Sequence, residues 1–198
     1  LARILEPADF GLLAMVATLT TFAGLFSEAG LSGAIIQRAE VTDAQLNSLF
    51  WLNLAIAGAV TALVAALAPL AAWFYQEPRL LAMTLALALP FAIGGACVQH
   101  KALLSRQMRF GVLTLAYTVS LFAGALVSIG LALAGVGYWS LVAGRLAQAV
   151  SYTGGLWMAC PWRPGRPRRG AGVRGLFVFG VDLTGFNLVN YFARNLDN

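Results

Sequence analysis

The chain is expected to be all-α, a polytopic bundle of transmembrane helices. Three observations carry that expectation. First, 60% of the 198 residues are hydrophobic and only 11% are charged, whereas a soluble domain has about a quarter of its residues charged. So few charges cannot cover a surface that faces water. Second, the apolar residues fall into runs of about 20, the length a helix needs to cross the hydrocarbon of a bilayer. Third, arginine and lysine gather in alternate connections between those runs, the asymmetry of helices threaded through a membrane. The mean hydropathy of +0.77 agrees.

Taken in order, Leu1–Leu5 has the character of a helix end, stopped by Glu6, Pro7 and Asp9. Phe10–Leu31 is the first complete span. A polar connection, Gln37–Asn47, leads to a second span over Ser48–Phe74, closed by Trp73, Phe74 and Tyr75; aromatic residues of this kind favour the membrane interface. After the turn Gln76–Arg79 comes Leu80–Gln99, with Pro90 and Gly94–Gly95 inside it. Proline is tolerated in a membrane helix when neighbours satisfy the carbonyl it frees, and it usually kinks the helix. His100–Arg109 is read as a connection, with His100 an interfacial residue at a helix end. Phe110–Ala134 follows, then the tight turn Gly135–Gly137, then Tyr138–Ala159. Small residues four apart, such as Ala55–Ala59, Gly58–Ala62 and Gly124–Ser128, provide close-packing positions between helices.

The stretch Pro161–Arg174, PWRPGRPRRGAGVR, holds five arginines and no acid. A basic run of this kind is either a nucleic-acid patch or a loop on the cytoplasmic side of a membrane. Counting by side decides. One face of the membrane receives Arg38, then Lys101, Arg106 and Arg109, then these five; the other receives Arg3 and Arg79. Three clusters in phase place the basic connections in the cytoplasm, and nucleic acid is not an expected partner. Contact of the loop with anionic lipid heads remains open.

Two cysteines, Cys97 and Cys160, and a single histidine exclude a disulfide framework and a metal-ligand spacing. Phosphate-binding, dinucleotide and nucleophile-elbow motifs are absent, so no catalytic residue, metal or cofactor is expected. Five charges nevertheless fall within or at the edge of the spans: Glu28, Arg145, Asp182, Arg194 and Asp197. At the centre of a bilayer such a residue costs about 2.5–3.5 kcal/mol on insertion scales, and it faces a bundle interior or an aqueous cavity. Glu28 is either an interfacial carboxylate or a cavity charge coupled to an ion. Arg145 either snorkels, pairs structurally, or binds an anion; Gln148, Ser151 and Tyr152 are assigned to its face. Asn187, Asn190, Tyr191, Arg194 and Asp197 recur at three- and four-residue steps and line one face. Arg194 and Asp197 either neutralise each other or belong to a cavity.

The segments LARILEPADFGLLAM, FSEAGLSGAIIQR, TDAQLNSLFWLN, WFYQEPRL and LTGFNLVNYFARNLDN resemble the polysaccharide-export branch of the multidrug/oligosaccharidyl-lipid/polysaccharide flippase superfamily. That resemblance implies two bundles of six helices around a cavity, with this chain supplying one half. Residues 1–160 would be the end of helix one and helices two to six, 161–174 the cytoplasmic linker, and 175–198 the start of helix seven and the second bundle. The start at Leu1 and the uncapped end at Asn198 are expected of a piece of a longer protein. The resemblance further implies a bacterial inner-membrane protein that is not an enzyme. It would move a polyprenyl-diphosphate-linked oligosaccharide by alternating access, alongside membrane lipids and polysaccharide-assembly partners. Arg145 and Arg194 are then candidates for the diphosphate, with Gln148, Asn187 and Asn190 for the sugar, and Glu28 and Asp197 for ion coupling. A cation-coupled multidrug exporter of the same superfamily would want a cluster of acids, and Glu28 is the one acid available in the first bundle. A polymerase or ligase would want a large outer loop, and the outer connections are short.

Overall fold

The computed structural model describes residues 11–17, 20, 21, 24 and 42–166. Every regular element among them is helical: α1 (Asp43–Phe74), α2 (Arg79–Gly95), α3 (Val98–Arg106), α4 (Phe110–Leu133) and α5 (Trp139–Ala159). Residues 11–17 are helical as well. Of the residues singled out from sequence, Glu28, Asp182, Asn187, Asn190, Tyr191, Arg194 and Asp197 lie outside the described residues.

The helix α1 begins earlier than its apolar run, because Thr42 and Gln45 form a capping box: each side chain bonds the other's backbone N–H. The polar residues Asp43–Asn47 therefore belong to the helix rather than to a connection. At 32 residues α1 is about 48 Å long, against about 30 Å of hydrocarbon, so its polar first turns extend past the apolar layer. It and α4 are each long and apolar enough to cross a membrane. Only 17% of the most apolar stretch of α4 is buried. Leu115, Phe122, Leu126 and Leu133 project outward, the pattern of a helix solvated by lipid on one side.

The expected span over Leu80–Gln99 is broken. Helix α2 continues past Pro90 and stops at Gly95, and α3 resumes at Val98 with a bend of 42°. Side chains of α5 bond backbone carbonyls at the break. Trp157 Nε1 donates to Ala96 O at 2.9 Å and Thr153 Oγ1 donates to Ile93 O at 3.3 Å, both from α5. Residues 98–106, expected to belong largely to a connection, thus form a helix. His100, expected at a helix end, is in α3 and fully buried in the protein, stacked on Trp157 at 4.6 Å between ring centroids and edge-on to Trp162 at 5.4 Å. Conversion of Trp157 to Phe keeps the stack and removes the bond to Ala96 O. It is expected to destabilise the protein by about 1–3 kcal/mol, through an acceptor left without its partner, read as a lower unfolding temperature in detergent.

Helices α1 and α2 pair as one hairpin and α4 and α5 as another, and α2 against α5 joins them. Leu12 and Val16 of the first described segment pack on Leu80, Met83, Leu87 and Val142, over the α2–α5 seam. Two glycines set the close approaches. A Cβ on Gly95 would collide with Ala57 of α1, and one on Gly144 would meet Gly124 O of α4 at 2.8 Å and collide with Ser128 Oγ. Of the three small-residue spacings named from sequence, Gly124–Ser128 is the one packed, while Ala55, Gly58, Ala59 and Ala62 are exposed. The Gly135–Gly137 turn has positive φ at both glycines, 76° and 64°, a conformation that side chains disfavour.

The first part of the basic stretch is pinned to the bundle. Gly165 N donates to Asn47 Oδ1 at 2.9 Å, and Trp51 Nε1 donates to Gly165 O at 2.9 Å. Arg163 donates to the carbonyls of Cys160 and Trp162 and lies over the Trp157 ring, 5.6 Å from its centroid. Arg109 Nη1 reaches Ala159 O at 3.4 Å. The start of α1, the start of α4 and the end of α5 therefore meet at one end of the bundle, with Arg109 and Arg163. Arg79, beside Glu77 at 3.8 Å, lies at the other end of α1 and α2.

Candidate functional site

A cavity of about 770 Å³ opens between the first described segment, α2, α3, α4 and α5. The α5 wall is built by helical spacing. Arg145, Gln148, Ala149, Tyr152 and Thr153 all line the cavity, because residues three, four and seven apart share a face. Ser151, expected on this face, does not line it. At about 100° per residue it lies roughly a third of a turn away from Arg145.

Arg145 is exposed to this space rather than sealed into protein. Among the described residues no carboxylate pairs with it; Glu77 pairs instead with Arg79. Arg145 and Gln148 also border a smaller cavity of about 170 Å³ with Gly124 and Gly144. The tight α4–α5 contact at those glycines thus sets the position of the helix face that carries both side chains. Gln148 is held directly: its Cβ lies 3.0 Å from where a Cβ on Gly124 would stand.

The remaining walls add groups that the sequence did not single out as site residues. Lys101 of α3 is a second lining cation. It was counted among the loop charges because the buried polar run QHKALLSRQ conceals a helix. Tyr117 and Ser120 come from α4, and Thr20 and Thr21 from the first segment. A signal for the α4 wall was present. Tyr117, Ser120, Gly124 and Ser128 form a polar and small-residue stripe at helical spacing in an otherwise apolar run.

The donors and acceptors of this space are unequal. Ser120 Oγ donates to Tyr117 O at 2.7 Å, Thr20 Oγ1 to Val16 O at 3.1 Å and Thr153 Oγ1 to Ile93 O at 3.3 Å. Those hydroxyl protons are committed to backbone; Ser120 is fully buried, while Thr20 and Thr153 are only partly buried and keep oxygens toward the cavity as acceptors. Arg145 and Lys101 bring positive charge to this lining, and Gln148 brings an amide. Among the described residues lining the cavity there is no carboxylate. Cations between low-dielectric walls focus a positive potential, and a guanidinium is a forked, permanently charged donor suited to phosphate oxygens. Among the described residues the lining is therefore positively charged and polar in an otherwise apolar bundle. Among the described residues no cluster of histidine, cysteine and carboxylate has the makings of a metal site.

Residues 1–198 match the family described as polysaccharide biosynthesis protein. The chain is 32% identical to the succinoglycan biosynthesis transport protein ExoT of Rhizobium meliloti, over 83% of this chain and 33% of that protein. It is 28% identical to the lipopolysaccharide biosynthesis protein WzxC of Escherichia coli, over 99% of this chain and 40% of that protein. It is 29% identical to the teichuronic acid biosynthesis protein TuaB of Bacillus subtilis, over 98% of this chain and 43% of that protein. The chain therefore spans well under half the length of these relatives. No solved structure matches. The resemblance drawn from the sequence motifs is borne out, and with a match along its full length the chain belongs to the polysaccharide biosynthesis protein family.

Proposed function

We propose that this chain is one half of a transporter that moves a polyprenyl-diphosphate-linked oligosaccharide across the bacterial inner membrane by alternating access. The observation that carries the proposal is the cavity: two cations and a set of hydroxyl acceptors in a bundle whose outer surface is apolar. A diphosphate needs fixed positive donors, its sugar needs hydroxyl partners, and its lipid tail can remain in the bilayer beside the bundle. The relatives support the same reading, being named for the biosynthesis of three different polysaccharides and, in one case, for transport. No bond is made or broken in this scheme, so the protein is not an enzyme.

In this arrangement residues 1–160 belong to a first six-helix bundle, 161–174 link it to a second, and 175–198 begin the second. The basic connections face the cytoplasm. Arg194, Asn187 and Asn190 complete the head-group site from the second bundle, and Glu28 and Asp197 carry ion coupling. The pinning of Arg163 and Gly165 to α1 and the end of α5 ties the start of the linker to the first bundle. A cavity with two cations and no lining carboxylate among the described residues disfavours a cation-coupled exporter of cationic drugs.

The test is complementation. The full-length gene, expressed in a strain lacking its own lipid-linked oligosaccharide transporter, is expected to restore surface polysaccharide, and its Arg194→Ala variant to restore much less at equal expression. Normal export by the variant would overturn the assignment of Arg194, and no restoration by any form would count against the transporter itself.

A further inference from the structure

We infer that Tyr117 and Tyr152 form a sugar-ring platform, the part of the cavity that reads the saccharide rather than the anionic group. This rests on the proposed lipid-linked oligosaccharide site and adds a specificity element to it. The two rings stand edge to face, their centroids 6.1 Å apart and their planes at 88°. They make a right-angled corner on the cavity wall, one ring from α4 and one from α5.

The placement is unusual for tyrosine in a membrane bundle. Tyrosine is enriched at the membrane surface, yet Tyr117 is seven residues into α4 and Tyr152 seven residues before the end of α5. At 1.5 Å per residue each is about 10 Å from its helix end, and because the helices are antiparallel both lie at the same depth. Tyr117 is nonetheless 51% exposed, so half of its surface is turned to open space rather than packed. An aromatic face carries negative potential. The C–H groups of a pyranose, polarised by the neighbouring oxygens, are drawn to such a face as cations are.

The surroundings match a sugar rather than a flat apolar ligand. Thr153, which lines the same cavity, has its proton donated to a backbone carbonyl, so it offers an oxygen to sugar hydroxyls. Arg145 is seven residues from Tyr152 on the same helix face, about 10 Å along the axis. That separation, less the reach of the arginine side chain, places an anionic group at Arg145 and the ring attached to it in the tyrosine corner. The same corner serves different saccharides, since C–H faces are common to pyranoses.

The experiment uses the purified full-length protein in lipid nanodiscs and two probes: undecaprenyl diphosphate, and undecaprenyl diphosphate bearing N-acetylglucosamine. The wild type is expected to bind the sugar-bearing lipid about fivefold more tightly, the effect of one good ring contact. Tyr117→Ala and Tyr152→Ala are each expected to bring the two affinities within twofold of each other while leaving that for the sugar-free lipid unchanged. Tyr117→Phe is expected to keep the preference. A role confined to packing would instead weaken both lipids together and overturn the proposal, as would a preference that survives both alanine variants or is absent from the wild type. Binding of neither lipid, or binding of both by Arg145→Ala as tightly as by the wild type, would instead sink the oligosaccharide site itself and the platform with it.

Discussion

Arg145→Ala in the full-length protein is expected to reduce transport of a lipid-linked oligosaccharide by about 10- to 100-fold, the loss of one charge-assisted contact to a phosphate. Arg145 is a cation exposed to the cavity, with no carboxylate paired to it among the described residues. Arg145→Lys is expected to fall between the two, because an ammonium keeps the charge but loses the planar fork. Arg79→Ala, at the other end of the bundle with an exposed side chain, should leave transport unchanged. The measurement is initial transport rate in vesicles at matched protein content. An Arg145→Ala rate equal to the wild type would remove this residue from the site.

The second large effect is on assembly. Gly144→Val is expected to destabilise the bundle by about 3 kcal/mol, the upper range for overpacking a close contact. A side chain there meets Ser128 Oγ and Gly124 O of α4, and a backbone carbonyl does not move aside as the end of a flexible side chain does. The helices must separate, and the hydrogen bonds of α5 to Ile93 and Ala96 then loosen with them. Gly58→Val is the matched control: a Cβ there meets nothing within 4 Å, and the change is expected to fall within about 0.5 kcal/mol. Unfolding temperature and the monodisperse fraction in detergent read both. Equal behaviour of the two variants would mean that the α4–α5 approach at Gly144 does not hold the bundle together.

The contrast between Gly58 and Gly144 also marks how far the sequence could be read. Both are small residues in apolar helices. Which one packs depends on which face of α1 or α5 meets a neighbour, and in lipid both faces are apolar, so no polarity difference reports the answer. The wall formed by Tyr117 and Ser120 did leave a trace, a polar stripe at helical spacing in α4, but a stripe without a charge does not by itself require a cavity. Arg145 and Gln148 were legible because a charge in an apolar run is costly enough to require a cavity. Lys101 was misplaced because a polar run ordinarily means a connection, and here α3 buries Gln99 and His100 inside the protein.

What the sequence determined by itself is the class of the protein: an all-helical bundle, the approximate bounds of α4 and α5, the alternation of basic connections, and the family. Those follow from quantities that add along the chain, hydropathy per residue and charge per connection, which need no knowledge of partners. The tertiary structure alone decided the break between α2 and α3, the burial of His100 between tryptophans, and the meeting of Arg145, Lys101 and the two tyrosines around one cavity. Each of those depends on what a distant segment supplies. The tryptophan and threonine of α5 that bond the carbonyls at the break lie about 60 positions away, at Trp157 and Thr153, and nothing local to residues 93–97 announces them.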